Sequence, residues 1–446
     1  MNSGPIWPTG ARTESMQTLL RRIYILDGTR DRAELCDLLI ADDKIQKIAA
    51  PGTLDGAECE TFDGKGEKLV LPGFFNAHCH AAMTLLRGLG EERPLMEWLQ
   101  EKIWPLEEHL TDEVVYAGTM QAILEMALTG TAGFTDMYYH TEQVARAASE
   151  TGIRCAVPLG VLRDPAKFRK SLYRDYAPLR APHGTVCIDP HAPYTVPFEF
   201  VRETAEEARR QNVPLQTHFL EAPWEREYFT DTLKMAPIDY LEKTGLSQVQ
   251  HLVLAHGVQF HQEELEYLAS HDNITIVHCP ASNLKLGSGT ALVPEMIKAG
   301  VHVALGTDGA ASNNRLDMWG EMRLASLIHK GVRHDPQSLA AKQLISMATY
   351  EGARAFGFER TGKITPGWSA DLLVVDISGP NYLGADEDNM ATYFVYAGSS
   401  RDVYGVLSCG RWIVRDRKFL PVPEDRILAE SRRQRQWLIS QKAQLK

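Results

Sequence analysis

The sequence predicts an α/β protein in which a (β/α)8 barrel of the TIM type is joined to a second, small and discontinuous β-sandwich domain. Three observations predict this fold. Short apolar runs alternate with helical stretches through the middle of the chain, strand-rich segments flank that region on both sides, and histidines or aspartates follow most of the runs. Alternating strands and helices are typical of a parallel sheet, and eight such units are typical of a closed barrel.

Composition and charge limit the classes of function. The chain has 446 residues, of which 44% are hydrophobic and 24% are charged, as in ordinary globular proteins. Its net charge of -11 is spread without long runs of one sign, so we expect no nucleic-acid partner. No apolar run approaches the roughly 20 residues that a membrane-spanning helix needs, so we expect no membrane association.

Cysteine usage indicates the compartment. The seven cysteines are scattered and include no Cys-x-x-Cys pair, which is typical of reduced thiols. The first residues also lack the hydrophobic core of a signal peptide. The sequence therefore predicts a cytoplasmic protein, and it leaves a homo-oligomer open.

The two ends of the chain contain short β-rich runs separated by turn dipeptides such as Asp27-Gly28 and Pro51-Gly52. Each end is too small to bury a core alone, so we expect the two ends to pair beside the barrel. This interpretation divides the chain into a disordered segment at 1–15, a β-sandwich domain at 16–72 and 363–421, a catalytic barrel at 73–362 and a C-terminal helix at 422–446.

Eight apolar runs between these ends are the candidate barrel strands, and helical stretches separate them. One helix is predicted after Thr111, which can cap it, and Gly130 can end it. The runs are Leu69–Asn76, Ala132–Met137, Arg154–Gly160, Thr185–Asp189, Val213–Thr217, Leu252–Ala255, Ile274–Val277 and Val301–Leu305.

Six histidines and two aspartates follow these runs. The carboxyl ends of barrel strands meet at one face, where barrel enzymes keep their chemistry, so we expect these side chains to converge. They are His78, His80, Asp136, His191, His218, His256, His278 and Asp308. The other histidines fit no strand end and are predicted to be structural: His109, His140, His183, His251, His261, His271, His302, His329 and His334.

The pair His78-x-His80 is the most metal-like feature. Residues i and i+2 share one face of a strand, so both imidazoles can point at one ion. An isolated pair of this kind is about as often two surface histidines. His218 and Asp308 would complete a nitrogen and oxygen ligand set, which suits zinc, with iron as the alternative.

Three further features bear on catalysis. Glu221, just past the fifth run, could move protons between water and substrate, although a lone glutamate is usually solvated. His256 could hydrogen-bond the attacking water, whereas Asp136 and His278 fit supporting roles equally well. Trp98 and Trp104 could wall an apolar pocket, although aromatic residues at such spacing are more often core.

Longer motifs resemble the amidohydrolase superfamily. Its strand-one signature is similar to the segment 71–80, its strand-eight motif to 306–309 and its return into a β-sandwich to 362–372. Members with two metal ions offer a lysine on strand four. Here strand four runs from Cys187 to His191 without one, so the resemblance implies a mononuclear, deaminase-type site.

Finer motifs resemble the 5-methylthioadenosine/S-adenosylhomocysteine deaminase family, namely the segments 83–88, 105–107, 133–138, 281–287, 306–314 and 321–326. The resemblance implies hydrolytic deamination of a 5-substituted adenosine, S-adenosylhomocysteine or 5-methylthioadenosine or both, to the inosine analogue and ammonia. It also implies one zinc ion per subunit. The implied metal ligands are His78, His80, His218 and Asp308, the implied catalytic residues Glu221, His256 and Asp308, and the implied substrate-binding residues Glu107, His191, Glu221 and Asp308.

One position departs from the family pattern. The family often has an arginine followed by glycine at the end of strand three, where this chain has Leu159 before Gly160. Arg163, Lys167 or Arg169 in the following loop could substitute. The alternatives are another amidohydrolase, such as a 5-deoxyadenosine, adenosine or guanine deaminase or a triazine hydrolase, and, from another class, a non-catalytic barrel scaffold.

Overall fold

The structure is a computed structural model that describes residues 17–56 and 59–442. The predicted disordered segment 1–15 and the last four residues of the predicted C-terminal helix lie outside the described residues. The strands, in chain order, are β1 Gln17–Ile25, β2 Glu34–Ala41, β3 Lys44–Ala49, β4 Glu60–Asp63, β5 Lys68–Pro72, β6 Phe74–Asn76, β7 Thr131–Thr135, β8 Arg154–Leu162, β9 Thr185–Pro190, β10 Leu215–Phe219, β11 Leu252–His256, β12 Ile274–His278, β13 His302–Leu305, β14 Leu372–Asp376, β15 Val403–Ser408, β16 Arg411–Arg415 and β17 Lys418–Phe419.

Strands β6 to β13 form the predicted eight-stranded parallel barrel. Neighbours along the chain pair in order, from β6 to β13. The ring is nearly closed by backbone hydrogen bonds from Ala77 N–H to the Leu305 carbonyl (3.0 Å) and from Asp308 N–H to the His78 carbonyl (2.9 Å). The carboxyl ends of all eight strands therefore open on one face, as the sequence predicts.

The first predicted strand is in fact two strands, and that part of the prediction is wrong. The run Leu69–Asn76 breaks at Gly73, so that β5 belongs to the other sheet and only β6 to the barrel. Gly73 N–H donates to the Asp371 carbonyl. A Cβ at Gly73 would lie 2.3 Å from Ala132 Cβ, so the close approach of these two segments requires glycine.

The two ends of the chain pair in one nine-stranded sheet, which confirms the predicted second β unit. Its order is β17-β16-β15-β14-β5-β1-β2-β3, and β4 also pairs with β1. The junction is antiparallel, with Val70 opposite Val374. This sheet has its own buried apolar cluster, which includes Leu38 and Leu372. The boundaries that we give to the two domains remain our proposal.

Helices connect the barrel strands and cover the barrel. Thr111 caps the first long helix, since its hydroxyl accepts a hydrogen bond from Val114 N–H at 3.3 Å. The α-helices of five or more residues are Asp112–Leu128, Thr141–Thr151, Pro165–Leu172, Phe198–Gln211, Pro237–Lys243, Leu265–Ala269, Pro280–Lys285, Val293–Ala299, Met318–Arg333, Ala341–Ala348, Tyr350–Ala355 and Glu424–Lys442. Within the described ranges, none is long and apolar enough to span a bilayer.

A buried ion pair joins the barrel to the nine-stranded sheet. Arg154, at the start of β8, donates from Nε and Nη2 to Asp371 Oδ2 at 3.1 and 2.9 Å. Its Nη1 donates to the His183 carbonyl at 2.6 Å. Only 7% of the Arg154 side chain and 3% of the Asp371 side chain are exposed, so removal of either partner leaves a buried charge uncompensated.

We expect Arg154→Met to lower the free energy of unfolding by about 3–5 kcal/mol, because Asp371 then stays buried without its counter-ion. Urea unfolding followed by circular dichroism measures the change. As a control, Arg202→Met breaks an ion pair with Glu199 on the surface, and its effect should stay below about 1 kcal/mol. Equal effects of the two substitutions would contradict a role for the buried pair.

Candidate active site

The strand ends bring four predicted ligands together. One atom each of His78, His80, His218 and Asp308 lies within 4.8 Å of the other three, and all four residues are buried. His78 and His80 follow β6, His218 lies in β10 and Asp308 follows β13. Side chains from opposite sides of the barrel thus meet at its centre.

Hydrogen bonds fix the direction in which the imidazoles point. His80 Nδ1 lies 2.7 Å from the Met137 carbonyl, and His218 Nδ1 lies 2.7 Å from the His191 carbonyl. A carbonyl only accepts, so each Nδ1 carries a proton and each Nε2 is directed at the centre, where the neutral ring offers a lone pair.

These inward-facing nitrogens fit a divalent cation. The Nε2 atoms of His80 and His218 are 3.2 Å apart, and His78 Nε2 is buried without a hydrogen-bond partner. Burial lowers the pKa of His78 to about 4, so that imidazole is neutral at pH 7. Burial lowers the pKa of His80, but the hydrogen bond and charge of Asp308 outweigh burial and raise that pKa to about 9. A cation that displaces this proton would face three imidazole nitrogens beside the carboxylate of Asp308, which are a ligand set for a metal ion.

Asp308 is held as a carboxylate. Its Oδ2 accepts hydrogen bonds from Ser282 Oγ (2.5 Å) and Ser312 Oγ (2.8 Å), and its Oδ1 lies 3.1 Å from His80 Nε2. Burial opposes ionisation, but the imidazoles of His78 and His80, whose Nε2 atoms lie 3.6 and 3.1 Å from Oδ1, hold the pKa of Asp308 well below its usual range. Its φ of 58° is in the left-handed region, a strain typical of functional sites.

Glu221 and His256 lie side by side next to this group. His256 Nε2 is 3.7 Å from Glu221 Oε2, and His256 Nδ1 is 2.7 Å from Asn283 Oδ1. Burial raises the pKa of Glu221 to about 8, so its carboxyl carries a proton at neutral pH. Glu225 orders the turn that presents Glu221, since its carboxylate accepts hydrogen bonds from the N–H groups of residues 220–222.

A pocket leads from the metal-ligand group to the outside. The predicted substrate-binding residues Glu107 and His191 line it together with Glu221, and so do Trp98 and Trp104. The tryptophans therefore wall a pocket rather than only filling the core.

Three of the strand-end residues do not line this pocket: His78, which belongs to the group of four candidate ligands, and Asp136 and His278. Asp136 Oδ1 accepts a hydrogen bond from Ala81 N–H at 2.8 Å, which orders the chain just after His80. His278 Nε2 lies 3.4 Å from His329 Nε2, on the side of the strand that faces a helix. Asp136 and His278 are both buried. Asp136 contacts the chain beside His80, whereas His278 contacts His329 and none of the four candidate ligands.

The structure adds pocket residues that the sequence did not single out. Tyr138, Tyr139 and Tyr194 line the pocket. Their positions directly after β7 and β9 were a signal that could have identified them. Gln216 was not predictable from spacing, because its role is to bridge: its Nε2 donates to Asp189 Oδ1 at 2.6 Å, while its Oε1 lies 3.4 Å from His78 Nδ1.

The chain just after β8, the third strand of the barrel, places the cation of Arg163 in the pocket. The position at which the family often has an arginine is occupied by Leu159. Leu159 is buried and its N–H donates to Asp189 Oδ2 at 2.9 Å. The β8–β9 register shifts between Pro158 and Val161, and Gly160 has a φ of 109°. Beyond this irregularity Val161 and Arg163 line the pocket.

Comparison with known proteins places the chain in a family. The amidohydrolase family profile matches residues 69–413. A 5-methylthioadenosine/S-adenosylhomocysteine deaminase from Pelotomaculum thermopropionicum is 38% identical over 405 residues, which cover 89% of this chain and 92% of that protein. A 5'-deoxyadenosine deaminase from Methanothermobacter thermautotrophicus is 37% identical, with coverage of 88% and 92%.

Solved structures agree with the sequence relatives. The crystal structure of an adenosine deaminase from Xanthomonas campestris with bound zinc superposes with a TM-score of 0.86 at 28% identity, over 95% of this chain and 99% of that chain. The fold, the match to the family profile over most of the chain and the relatives together show that the chain belongs to the amidohydrolase family.

Proposed function

We propose that this amidohydrolase removes the 6-amino group of a 5-substituted adenosine, such as S-adenosylhomocysteine or 5-methylthioadenosine, and releases ammonia and the inosine analogue. The observation that carries the proposal is the four-ligand group with Glu221 and His256 beside it, at the closed end of a pocket that also contains Glu107. Relatives named as deaminases of such nucleosides align over most of the chain and support this substrate class.

His78, His80, His218 and Asp308 would hold one divalent ion per subunit. Nitrogen and oxygen donors without thiolate suit zinc, and the zinc in the similar adenosine deaminase structure supports that choice over iron. When bound, such an ion polarises a water molecule and lowers its pKa towards ~7.

Different side chains of the pocket carry out the separate proton transfers of the reaction. Asp308, held ionised, accepts a proton from the attacking water, and His256 Nε2 orients that water towards C6 of the adenine ring. Glu221, which carries a proton at neutral pH, donates it to N1, so that negative charge does not build up on the ring. Return of protons through the two carboxyl groups lets ammonia leave.

The other end of the pocket binds the sugar. Glu107 is 7% exposed and faces the pocket, where its carboxylate can accept hydrogen bonds from the two ribose hydroxyls. His191, whose Nδ1 lies 2.8 Å from Thr195 Oγ1, presents its remaining ring nitrogen for a substrate contact. A bare base would leave Glu107 without its ligand, which disfavours guanine and triazine substrates. The intact ligand group disfavours a non-catalytic scaffold.

Two predictions about the protein's context carry over. We propose a cytoplasmic location on the basis of seven cysteines without a disulfide. The small-molecule substrate is the one partner that we propose.

The function is tested by ammonia release from zinc-loaded protein supplied with S-adenosylhomocysteine, 5-methylthioadenosine, 5-deoxyadenosine, adenosine, guanine and a chlorotriazine at equal concentrations. We expect turnover of adenosine derivatives, because their ribose hydroxyls can donate hydrogen bonds to the carboxylate of Glu107. Turnover of only guanine or the triazine would contradict the proposed substrate class.

We expect His218→Ala to lower the bound zinc and ammonia release together by about 100-fold or more, because one of four ligands is lost. Metal content by mass spectrometry and activity are measured on the same sample. His261→Gln changes an exposed histidine and should leave both unchanged. A His218→Ala variant with full zinc occupancy would contradict the assigned ligand set.

We expect Glu221→Gln to lower kcat by about 10²–10⁴-fold at unchanged zinc content, because the amide cannot donate the proton to N1. Glu227→Gln, on the exposed side of the same segment, is the matched control. Full activity of the Glu221 variant would exclude Glu221 as the proton donor.

The pH profile tests the same residue. The protonated Glu221 is present below its pKa of about 8, so kcat should fall as pH rises through that value. A bound cation favours the carboxylate, so this limb lies at or below about pH 8. The residual rate of Glu221→Gln, measured from pH 5 to 9, should lack the limb. Persistence of the limb in that variant would assign it to another group.

A further inference from the structure

Arg163 lies in the pocket beside Glu107. It is the one lysine or arginine among the described residues that line it. Its Nη2 lies 3.6 Å from Glu107 Oε2 and donates to the Tyr139 hydroxyl, while that hydroxyl lies 3.5 Å from the same carboxylate oxygen. Arg163 and Glu107 thus form an ion pair inside the substrate pocket.

Two aromatic rings hold the guanidinium in place. Its central carbon lies 5.1 Å from the centre of the Trp104 ring and 5.6 Å from the centre of the Tyr139 ring. Stacking of this kind favours arginine and limits its movement. The charge of Arg163 is therefore positioned for Glu107 and is largely neutralised by it.

The other cations near the pocket are paired elsewhere or point away. In an adjoining cavity Lys285 pairs with Glu91, and Arg93 pairs with Glu101 at 2.8 Å. Arg169, in the helix that follows Arg163, pairs with Glu203. Lys167 is exposed and does not line the pocket.

Apolar side chains form part of the wall of the pocket that contains this ion pair, and one of them, Trp104, lies against Arg163. The eight apolar lining residues within the described ranges are Met83, Leu95, Trp98, Leu99, Trp104, Met137, Val161 and Leu286. A substrate carboxylate bound in these surroundings would lose its hydration shell. The one lysine or arginine available to it among the described lining residues would be Arg163, whose guanidinium is already paired with Glu107. A charge or polar group that is buried without its own partner is costly.

We propose that Arg163 is a positioning and specificity residue, which aims Glu107 at the ribose hydroxyls and leaves the pocket selective for adenosines whose 5-substituent is small, apolar and uncharged. This inference rests on the proposed function and narrows its substrate. Ribose bound at Glu107 brings its 5-substituent within reach of the apolar wall. A thioether or a methyl group is thus preferred to the carboxylate and ammonium of a homocysteine group.

The first test needs no variant. Ammonia release by the zinc-loaded wild-type protein should give a kcat/KM for 5-methylthioadenosine and 5-deoxyadenosine at least about tenfold above that for S-adenosylhomocysteine. An equal or higher kcat/KM for S-adenosylhomocysteine would overturn the selectivity. Release of no ammonia from any adenosine derivative by protein with full zinc occupancy would instead defeat the proposed function.

The second test separates positioning from direct recognition. Arg163→Gln should raise KM for 5-methylthioadenosine about tenfold or more with little change in kcat, and should leave 2,3-dideoxyadenosine unaffected because that substrate lacks the hydroxyls. Glu107→Gln should raise the same KM by a similar factor, and the double variant should raise it little further than either single variant. Arg169→Gln is the matched control and should leave all constants unchanged.

The same variants can contradict the proposal. If Arg163→Gln lowers kcat/KM for S-adenosylhomocysteine and leaves 5-methylthioadenosine unchanged, Arg163 recognises the substrate carboxylate and the proposal is wrong. Arg163→Lys keeps the charge but not the planar stacking, so its KM for 5-methylthioadenosine should lie between those of the wild-type protein and Arg163→Gln. Full additivity of the Glu107 and Arg163 substitutions would also contradict positioning through the pair.

Discussion

Closure of the barrel is the constraint on which the rest of the site depends. The first and last barrel strands, β6 and β13, are held together by backbone hydrogen bonds and by Asn76, whose amide donates to Thr307 Oγ1 at 2.7 Å and accepts from Thr307 N–H at 2.9 Å. Those two strands carry three of the four ligand residues. Without closure, His78 and His80 would be separated from Asp308 by the width of an open sheet.

Within the closed ring, polar contacts behind the ligands decide what the site can bind. Backbone carbonyls hold the Nδ1 protons of His80 and His218, and two serine hydroxyls hold Asp308. These contacts set the tautomers and keep the carboxylate ionised at a buried position. His256 and Asp308 both have positive φ. This backbone conformation is strained for residues other than glycine, and it persists only because the surrounding structure enforces it.

The pocket combines two electrostatic environments. At the closed end, three imidazoles and one carboxylate face a common centre, and Glu221 is protonated because it is buried. Near the other end, Glu107 and Arg163 cancel each other's charge among aromatic and aliphatic side chains. The first environment favours a cation and proton transfer, whereas the second favours a ligand with hydroxyl groups and no net charge.

Much of this was predictable from the sequence. The alternation of apolar runs and helices predicts the barrel, because it depends on neighbours a few residues apart. The residue types at the run ends then predict the group of four candidate ligands, because the carboxyl ends of barrel strands meet at one face. The sequence could not show that the first run divides at Gly73 or that Asp136 and His278 lie outside the pocket. Nor could it show which of the three cations after Leu159, namely Arg163, Lys167 and Arg169, lies in the pocket. Those features depend on how closely segments far apart in the chain approach one another, and only the packed tertiary structure decides that.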